Sequence, residues 1–248
     1  MAQPPPPPPD DLEEQAAATR NAAELAAVAL FVAAQGEEDP SPADVAVIRR
    51  ILHGLVKGIV RSAMASAGRA PGRVPGALEV NDFAEELADR ISAPSRPEVG
   101  DLIKMVRRIR QSNHAAPPRD PGELSLAREA ARNFATWAYG RAIEAAAPAL
   151  EQAKPGWLAA NLTLKKTWVT QGDSRVRPLH RRLHARTRNW DQDFWRWPHT
   201  GQRLRYPGDP DAPLDAVLGC RCLCWLSWSK GDLLTKAIRD LPPLEKLP

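Results

Sequence analysis

The sequence predicts an α+β protein: a mainly α-helical N-terminal region followed by a small β-containing C-terminal module that a metal ion staples together. Apolar residues recur at helical spacing through most of the first 154 residues. Beyond that point the pattern changes to a strand-like alternation of β-branched and aromatic residues. All three Cys, three of the five His and six of the eight Trp lie between Trp168 and Trp228. At 248 residues the chain can hold one or two domains.

The first predicted elements are an extended lead-in and a helix. Pro4 to Pro9 lack backbone N–H donors, which predicts an exposed polyproline lead-in over residues 1–10, more a spacer than a docking ligand. Residues 11–35 are rich in Ala and Glu and predict a helix that ends at Gly36 and Pro40.

A second helix starts cleanly after this break. Ser41 is placed as its N-cap and Pro42 as its first helical residue. One apolar stripe at helical spacing then predicts an amphipathic helix: Val45, Ile48, Leu52, Leu55, Ile59 and Ala63. The Gly- and Pro-rich residues 67–80 predict a loop.

Three more helices complete the predicted helical domain, residues 11–154. The first runs from residue 81 or 82 to about 91, and the second covers 98–112 with a basic outer surface. After a proline-rich hinge, a long helix with a small-residue stripe runs from about 123 to 146, where Pro148 is expected to stop it. Pro155 and Gly156 mark the boundary.

The C-terminal module is predicted over residues 155–230, with a tail over 231–248. Its expected elements are a strand over 164–170, a short helix over 177–186, an irregular aromatic segment over 190–198, a turn over 206–210 and a closing strand over 217–227. The tail is predicted to form a short helix over 231–239 followed by a loose end.

Soft metal ligands are concentrated in this module. Cys220 and Cys222 are two residues apart and share a face of an extended strand, which Cys224 continues. His180 and His184 are one helical turn apart, so both face one way if the segment is helical. A tetrahedral zinc site takes four N, S or carboxylate ligands. His180, Cys220 and Cys222 supply three, and His184, Asp173 or Cys224 is the fourth.

Simpler interpretations of the same residues stay open. The spacing differs from that of a two-by-two C-x-x-C zinc finger. Cys often serves as a small buried hydrophobic residue, and the two histidines lie among arginines, as solvated surface residues do.

Four sequence pieces occur in an order that resembles a known family. They are G-D-S-R-V-R-P-L-H over 172–180, D-x-D-F-W over 191–195, Y-P-G-D-P over 206–210 and C-R-C over 220–222. Together they resemble the phage Mu protein F-like, or phage head morphogenesis, family of minor head proteins of tailed double-stranded DNA phages. The resemblance implies a metal site of Asp173, His180, Cys220 and Cys222, with Zn²⁺ in a structural role.

Two positions depart from the family pattern. The family usually has Asn just before C-R-C, where this chain has Gly219. It often has a small turn ending in Gly shortly after the His, where this chain reads His184-Ala185-Arg186.

The resemblance implies a minor capsid or head morphogenesis protein of a phage or prophage, and no enzymatic activity. It would bind the portal or the capsid and scaffold proteins during head assembly. It would lie in the host cytoplasm before assembly and in the virion head interior afterwards. No apolar run is long enough to span a bilayer, so no membrane partner is expected.

Two other functions are compatible with the residues. A metal-dependent nuclease or other hydrolase would use His184, Asp191 or Asp193 as its base. No P-loop, H-E-x-x-H or nucleophile elbow accompanies them. A DNA-binding protein would use the basic surplus of residues 161–230, which hold 13 Lys and Arg against 6 Asp and Glu.

Overall fold

The computed structural model describes residues 10–32, 39–67, 76–113, 121–154, 162–170, 176–197, 199–209, 212–213 and 222–230. Five helices come first: α1 (Asp10–Val32), α2 (Pro42–Ala67), α3 (Ala77–Ile91), α4 (Pro97–Asn113) and α5 (Pro121–Gln152). A short helix and five strands follow: β1 (Leu162–Thr170), α6 (Pro178–Leu183), β2 (Thr187–Asn189), β3 (Trp195–Arg196), β4 (Arg203–Leu204) and β5 (Cys222–Lys230). The α+β class is confirmed. The predicted lead-in before Asp10 and the tail over 231–248 lie outside the described residues.

Helix α2 starts where the sequence predicts. Ser41 Oγ accepts a hydrogen bond from the Asp44 backbone N–H at 3.2 Å, and the Asp44 carboxylate accepts one from the Ser41 backbone N–H at 2.9 Å. This reciprocal pair satisfies two backbone donors that the first turn of a helix leaves without partners. Burial alone would raise the pKa of Asp44, but its bonds from Ser41 and Arg110 outweigh burial and lower it.

Two predicted helix boundaries among α1–α5 were wrong. Helix α3 begins at Ala77, four to five residues earlier than expected, because Gly76 serves as its N-cap and donates its N–H to Glu79 at 2.9 Å. Helix α5 continues through Pro148 to Gln152. The ring of Pro148 faces solvent, whereas Leu150 just beyond it is fully buried, so core packing carries the helix past the missing backbone bond.

The helices pack through small residues and one buried arginine. A Cβ atom added to Gly58 of α2 would lie 2.6 Å from the Thr19 side chain of α1, so glycine sets how closely the two helices approach. Arg110 of α4 is 6% exposed and donates from Nη2 to the Leu30 carbonyl of α1 at 2.8 Å. It also pairs with Asp44 at 3.1 Å. This guanidinium joins α1, α2 and α4.

The main sheet has the strand order β2-β1-β5, with both pairings antiparallel. Trp168 of β1 lies opposite Cys224 of β5, and Thr170 lies opposite Cys222. Two features of this region were not predicted. The helix expected over 177–186 ends at Leu183 and is followed by the unpredicted strand β2, and the segment predicted to be irregular contributes β3 to a hairpin with β4.

The free edge of β5 is held by side chains of the helices. Arg20 of α1 donates to the Cys222 carbonyl at 3.1 Å, and Tyr139 of α5 donates to the Cys224 carbonyl at 2.7 Å. The Trp228 backbone N–H donates to Ser66 Oγ of α2 at 2.9 Å. An edge strand otherwise exposes a row of backbone groups. Here three helices satisfy part of that row.

One continuous hydrophobic core therefore joins the helices to the sheet, from Ala23 of α1 to Trp228 of β5. The boundary predicted near residue 155 stays a prediction, and the two parts on either side of it share their interior. In the described part of the chain, no helix is long and apolar enough to cross a membrane.

Candidate metal centre

His180 is turned into the protein by a short helix. Pro178 occupies the first turn of α6, where its missing N–H has no cost. Leu183 anchors the other end in the core with 1% exposure, and this fixes the direction of His180 one turn earlier. The imidazole is itself 1% exposed and stands edge-on to Trp168, with ring centroids 5.1 Å apart.

The sulfur of Cys222 meets this imidazole. Cys222 Sγ lies 3.4 Å from His180 Nδ1, and the Cys222 side chain is also 1% exposed. Two ligands of one tetrahedral zinc, at about 2.1 Å for nitrogen and 2.3 Å for sulfur, stand about 3.6 Å apart. The observed separation fits a shared ion, and it equally fits a direct hydrogen bond between thiol and imidazole.

The other two predicted ligands cannot be placed. Asp173 and Cys220 lie outside the described residues. Within the described ranges, no group of three or more His, Cys, Asp or Glu side chains is arranged to hold a metal ion. The structure thus brings two of the four predicted ligands, His180 and Cys222, into contact, and the full set stays a prediction.

His184 does not face the same way as His180. Helix α6 ends at Leu183, so the expected helical relation between the two histidines was wrong. His184 Nδ1 instead lies 3.2 Å from the Thr170 backbone nitrogen, which donates to it, and 3.2 Å from Thr170 Oγ1. The ring continues the edge of β1 beyond the point where β2 pairs. Because Nδ1 accepts the Thr170 N–H, the neutral ring carries its proton on Nε2, so His184 could bind a metal only after giving up this hydrogen bond or that proton.

Cys224 shares a face of β5 with Cys222, as strand periodicity predicts. Its side chain is fully buried, and burial raises the pKa of its thiol to about 12, with the Lys166 ammonium opposing that rise. Its carbonyl is held by Tyr139.

Residues 206–209 of the Y-P-G-D-P piece form a tight turn against α5. Asp209 has no exposed surface, and its carboxylate accepts from the Arg205 backbone N–H at 2.6 Å and from Arg205 Nη2 at 2.9 Å. Arg205 also reaches Glu144 of α5 at 3.1 Å. Gly208 has φ +79°, and a Cβ there would come closer than 3.0 Å to the Thr136 carbonyl oxygen. The motif is therefore a structural clamp between the turn and α5.

The D-x-D-F-W piece supports the same core. Phe194 is buried and stacks edge-on against Trp168, with ring centroids 5.3 Å apart. Asp193 accepts a hydrogen bond from Arg196 at 2.9 Å, and Asp191 is exposed. Both carboxylates are the candidate bases of a hydrolase. Neither of them forms a hydrogen bond or an ion pair with His180 or Cys222.

Sequence reasoning missed three buried residues that lie in β1 or hold the cysteine strand β5. Arg20 and Tyr139 hold the carbonyls of the cysteine strand, and Lys166 is 1% exposed beneath Phe194, 5.4 Å from its ring centre. A signal for Lys166 existed: two successive lysines in one strand face opposite sides, so one of them points inward. Burial lowers the pKa of Lys166, while Cys224 and Asp193 oppose that fall.

Comparisons with protein-family models, with curated proteins and with solved structures found no match for this chain.

Proposed function

We propose that this chain is a minor capsid or head morphogenesis protein of a tailed double-stranded DNA phage or prophage. In this proposal it is not an enzyme, and its C-terminal module holds one structural Zn²⁺. The observation that carries the metal site is the buried contact between His180 and Cys222, 42 residues apart along the chain. The step to phage head assembly depends on the four ordered sequence pieces.

The burial of the pair supports a structural ion over a catalytic one. A catalytic zinc keeps an open position for water or substrate. Here the imidazole and the thiol are each 1% exposed, and Trp168 covers the ring. A structural zinc in small peptide sites contributes on the order of 10 kcal/mol to folding. Asp173 and Cys220 would complete the ligand set, with His184 and Cys224 as alternatives for the fourth position.

The remaining motif residues support a framework role. Arg205, which Asp209 holds in place, links the module to Glu144 of α5, and Phe194 fills the space over Trp168. The Asp209 carboxylate and the Phe194 ring are both buried, so neither side chain is accessible to a substrate. The C-terminal module would then have a structural role, and the helices would bind the portal or the capsid and scaffold proteins. The protein would lie in the host cytoplasm before assembly and in the head interior afterwards.

The test is zinc content measured by mass spectrometry on protein purified without added metal. We expect about one zinc per chain in the wild type. His180→Ala, Cys220→Ser and Cys222→Ser should lose it, and Asp173→Asn, His184→Ala and Cys224→Ala identify the fourth ligand. His53→Ala, on α2, is the matched control and should keep the ion. A zinc-free wild-type protein contradicts the metal site.

Partner binding needs its own measurement. The wild type should pull down the portal protein of the same phage or prophage, and it should assemble into heads that contain it. The assembly role would be contradicted if purified heads did not contain this protein and if the pull-down retained neither portal nor capsid proteins, even if zinc is present.

A second candidate function, contact with the packaged DNA, is favoured by one surface. Arg182, Arg186 and Arg188 are exposed along α6 and β2. These three arginines form no ion pair with another described residue. By contrast, Arg196 and Arg205 of the same module pair with Asp193 and Asp209. Unpaired guanidinium groups suit phosphate. Replacing all three by Gln should weaken DNA binding. The slope of the logarithm of the binding constant against the logarithm of the salt concentration should fall by the amount expected for about three lost phosphate contacts.

A metal-dependent hydrolase remains the alternative of another class. Nuclease activity that a chelator abolishes, and that His184→Ala removes without unfolding the protein, would favour it over the assembly role.

A further inference from the structure

A groove of about 650 Å³ lies between α1 and α2, on the outer surface of the helical part. Its floor is apolar and built from small residues, among them Ala22, Ala26 and Gly54, all solvent-exposed. Leu25 stands at its edge with 75% of its surface exposed. The groove thus presents exposed apolar surface to solvent. The candidate metal centre does not use it.

One edge of the groove is basic. Arg50, Lys57 and Arg61 line it from α2. Positions 7 and 11 residues apart on a helix return to within about 20° of the same direction, so the three cations form one row. Lys57 pairs with Glu85 of α3. Arg50 and Arg61 form no direct ion pair with a described residue, although Arg61 also attracts the Glu85 carboxylate at longer range. The two arginines stand about 16 Å apart along the helix axis.

The dimensions of the groove suit a helix. Its α2 side runs from Val47 to Arg61, which corresponds to about 21 Å, or four helical turns. A floor of Ala and Gly allows a second helix to approach closely, as small-residue interfaces do. No aromatic side chain occurs among the described lining residues, so nothing is present to stack nucleic-acid bases.

We propose that this groove binds an amphipathic α-helix of a partner protein, with an apolar face on the floor and acidic side chains about 11 residues apart along one flank. The acidic groups would pair with Arg50 and Arg61. Apolar side chains at i, i+3, i+4 and i+7 would cover Ala22, Ala26 and Gly54, in the helix-in-groove mode. The inference depends on the groove alone and goes beyond the assembly function, for which it names a docking surface and the chemistry of its ligand.

The probe is a labelled synthetic helical peptide of 18 residues, with Ala and Leu on one face and two Glu 11 residues apart on the flank. A matched peptide carries Lys in place of both Glu. Fluorescence anisotropy on the full chain should show binding of the acidic peptide, weakened by salt, and at least tenfold weaker binding of the Lys peptide.

Variants on α2 place the binding in the groove. A Cβ at Gly54 meets nothing within 4 Å, so Gly54→Met fills the groove without a clash inside the protein. It should weaken acidic-peptide binding at least tenfold while the unfolding midpoint stays the same or rises, because Met favours helix over Gly. Arg50→Glu should weaken the acidic peptide and strengthen the Lys peptide. Arg108→Glu, an equal charge change on the exposed surface of α4, should leave both unchanged.

Three results would overturn the proposal. They are no binding of the acidic peptide, equal binding to Gly54→Met, and a wild-type dimer in sedimentation that Gly54→Met converts to monomer. The last would make a second copy of this chain the occupant. None of these variants touches His180 or Cys222, so zinc content should stay unchanged, and failure here and failure of the metal site are separate outcomes.

Discussion

Glycine at position 208 should be indispensable for seating the Tyr206–Asp209 turn on α5. Gly208 has φ +79° and Gly201 has φ +68°, a region that costs an L-residue about 1–2 kcal/mol. The two differ in surroundings: a Cβ at Gly201 meets nothing within 4 Å, whereas one at Gly208 collides with the Thr136 backbone. Gly201→Ala is therefore a matched control that isolates the backbone cost.

The magnitudes follow from that difference. Gly201→Ala should lower the free energy of unfolding by about 1–2 kcal/mol. Gly208→Ala should add an overpacking cost of about 1–3 kcal/mol to this, because the carbonyl it strikes belongs to a buried helix and cannot rotate away. The total is about 2–5 kcal/mol. Relief of the clash by moving the turn would also pull Asp209 from Arg205.

Urea unfolding followed by tryptophan fluorescence measures both variants under identical conditions. Gly140→Ala supplies a third arm, since a Cβ there would lie 2.9 Å from the Pro207 carbonyl although the residue is helical. It should destabilise despite a gain in helix propensity of up to about 1 kcal/mol. Equal losses for Gly201→Ala and Gly208→Ala, with Gly140→Ala neutral, would refute the packing of this turn on α5.

Three further results are expected. Ala185 has φ +59°, so Ala185→Gly should raise the free energy of unfolding by about 0.5–1 kcal/mol in chemical denaturation; a loss would mean the turn is not left-handed. Tyr139→Phe should cost about 1–3 kcal/mol by leaving the Cys224 carbonyl unsatisfied, and a neutral result would contradict that bond. Lys166 has a lowered pKa through burial, so its cost to folding is present at neutral pH and is relieved as pH rises toward its ordinary value. Lys166→Met should accordingly be neutral or stabilising by up to about 2 kcal/mol at pH 7, and it should remove the rise in stability that the wild type shows as the pH approaches the ordinary pKa of lysine; strong destabilisation would show that the charge is needed.

Local signals in the sequence were sufficient for most helices and for β1. Ser41 and Pro42 mark the start of α2 because capping chemistry depends on adjacent residues. The same kind of signal failed at Pro148. A proline costs a helix about 3 kcal/mol locally, and the burial of Leu150 by distant parts of the chain favours the continuation of α5 beyond it. Tertiary packing of this kind leaves no mark in the neighbouring sequence.

In the candidate site, too, local periodicity predicted some positions correctly and tertiary contacts determined the others. Strand periodicity placed Cys222 and Cys224 on one face, which the register with β1 confirms. Helical periodicity misplaced His184, because α6 ends a residue earlier and the ring turns to Thr170. The role of Arg20 could not have been read from its own surroundings, since its partner is the Cys222 carbonyl far along the chain.

The hydrogen bonds that hold the outer edge of β5 also affect the order in which parts of the protein fold during synthesis. Arg20 and the Cys222 carbonyl are separated by 202 residues, and Ser66 and Trp228 by 162. On a ribosome, α1 and α2 emerge well before the strand that completes their shared interior. Contacts of such long range form slowly, and unfinished chains expose apolar surface in the meantime. The helices produced without β5 should therefore aggregate, and adding a peptide of the strand should rescue their solubility.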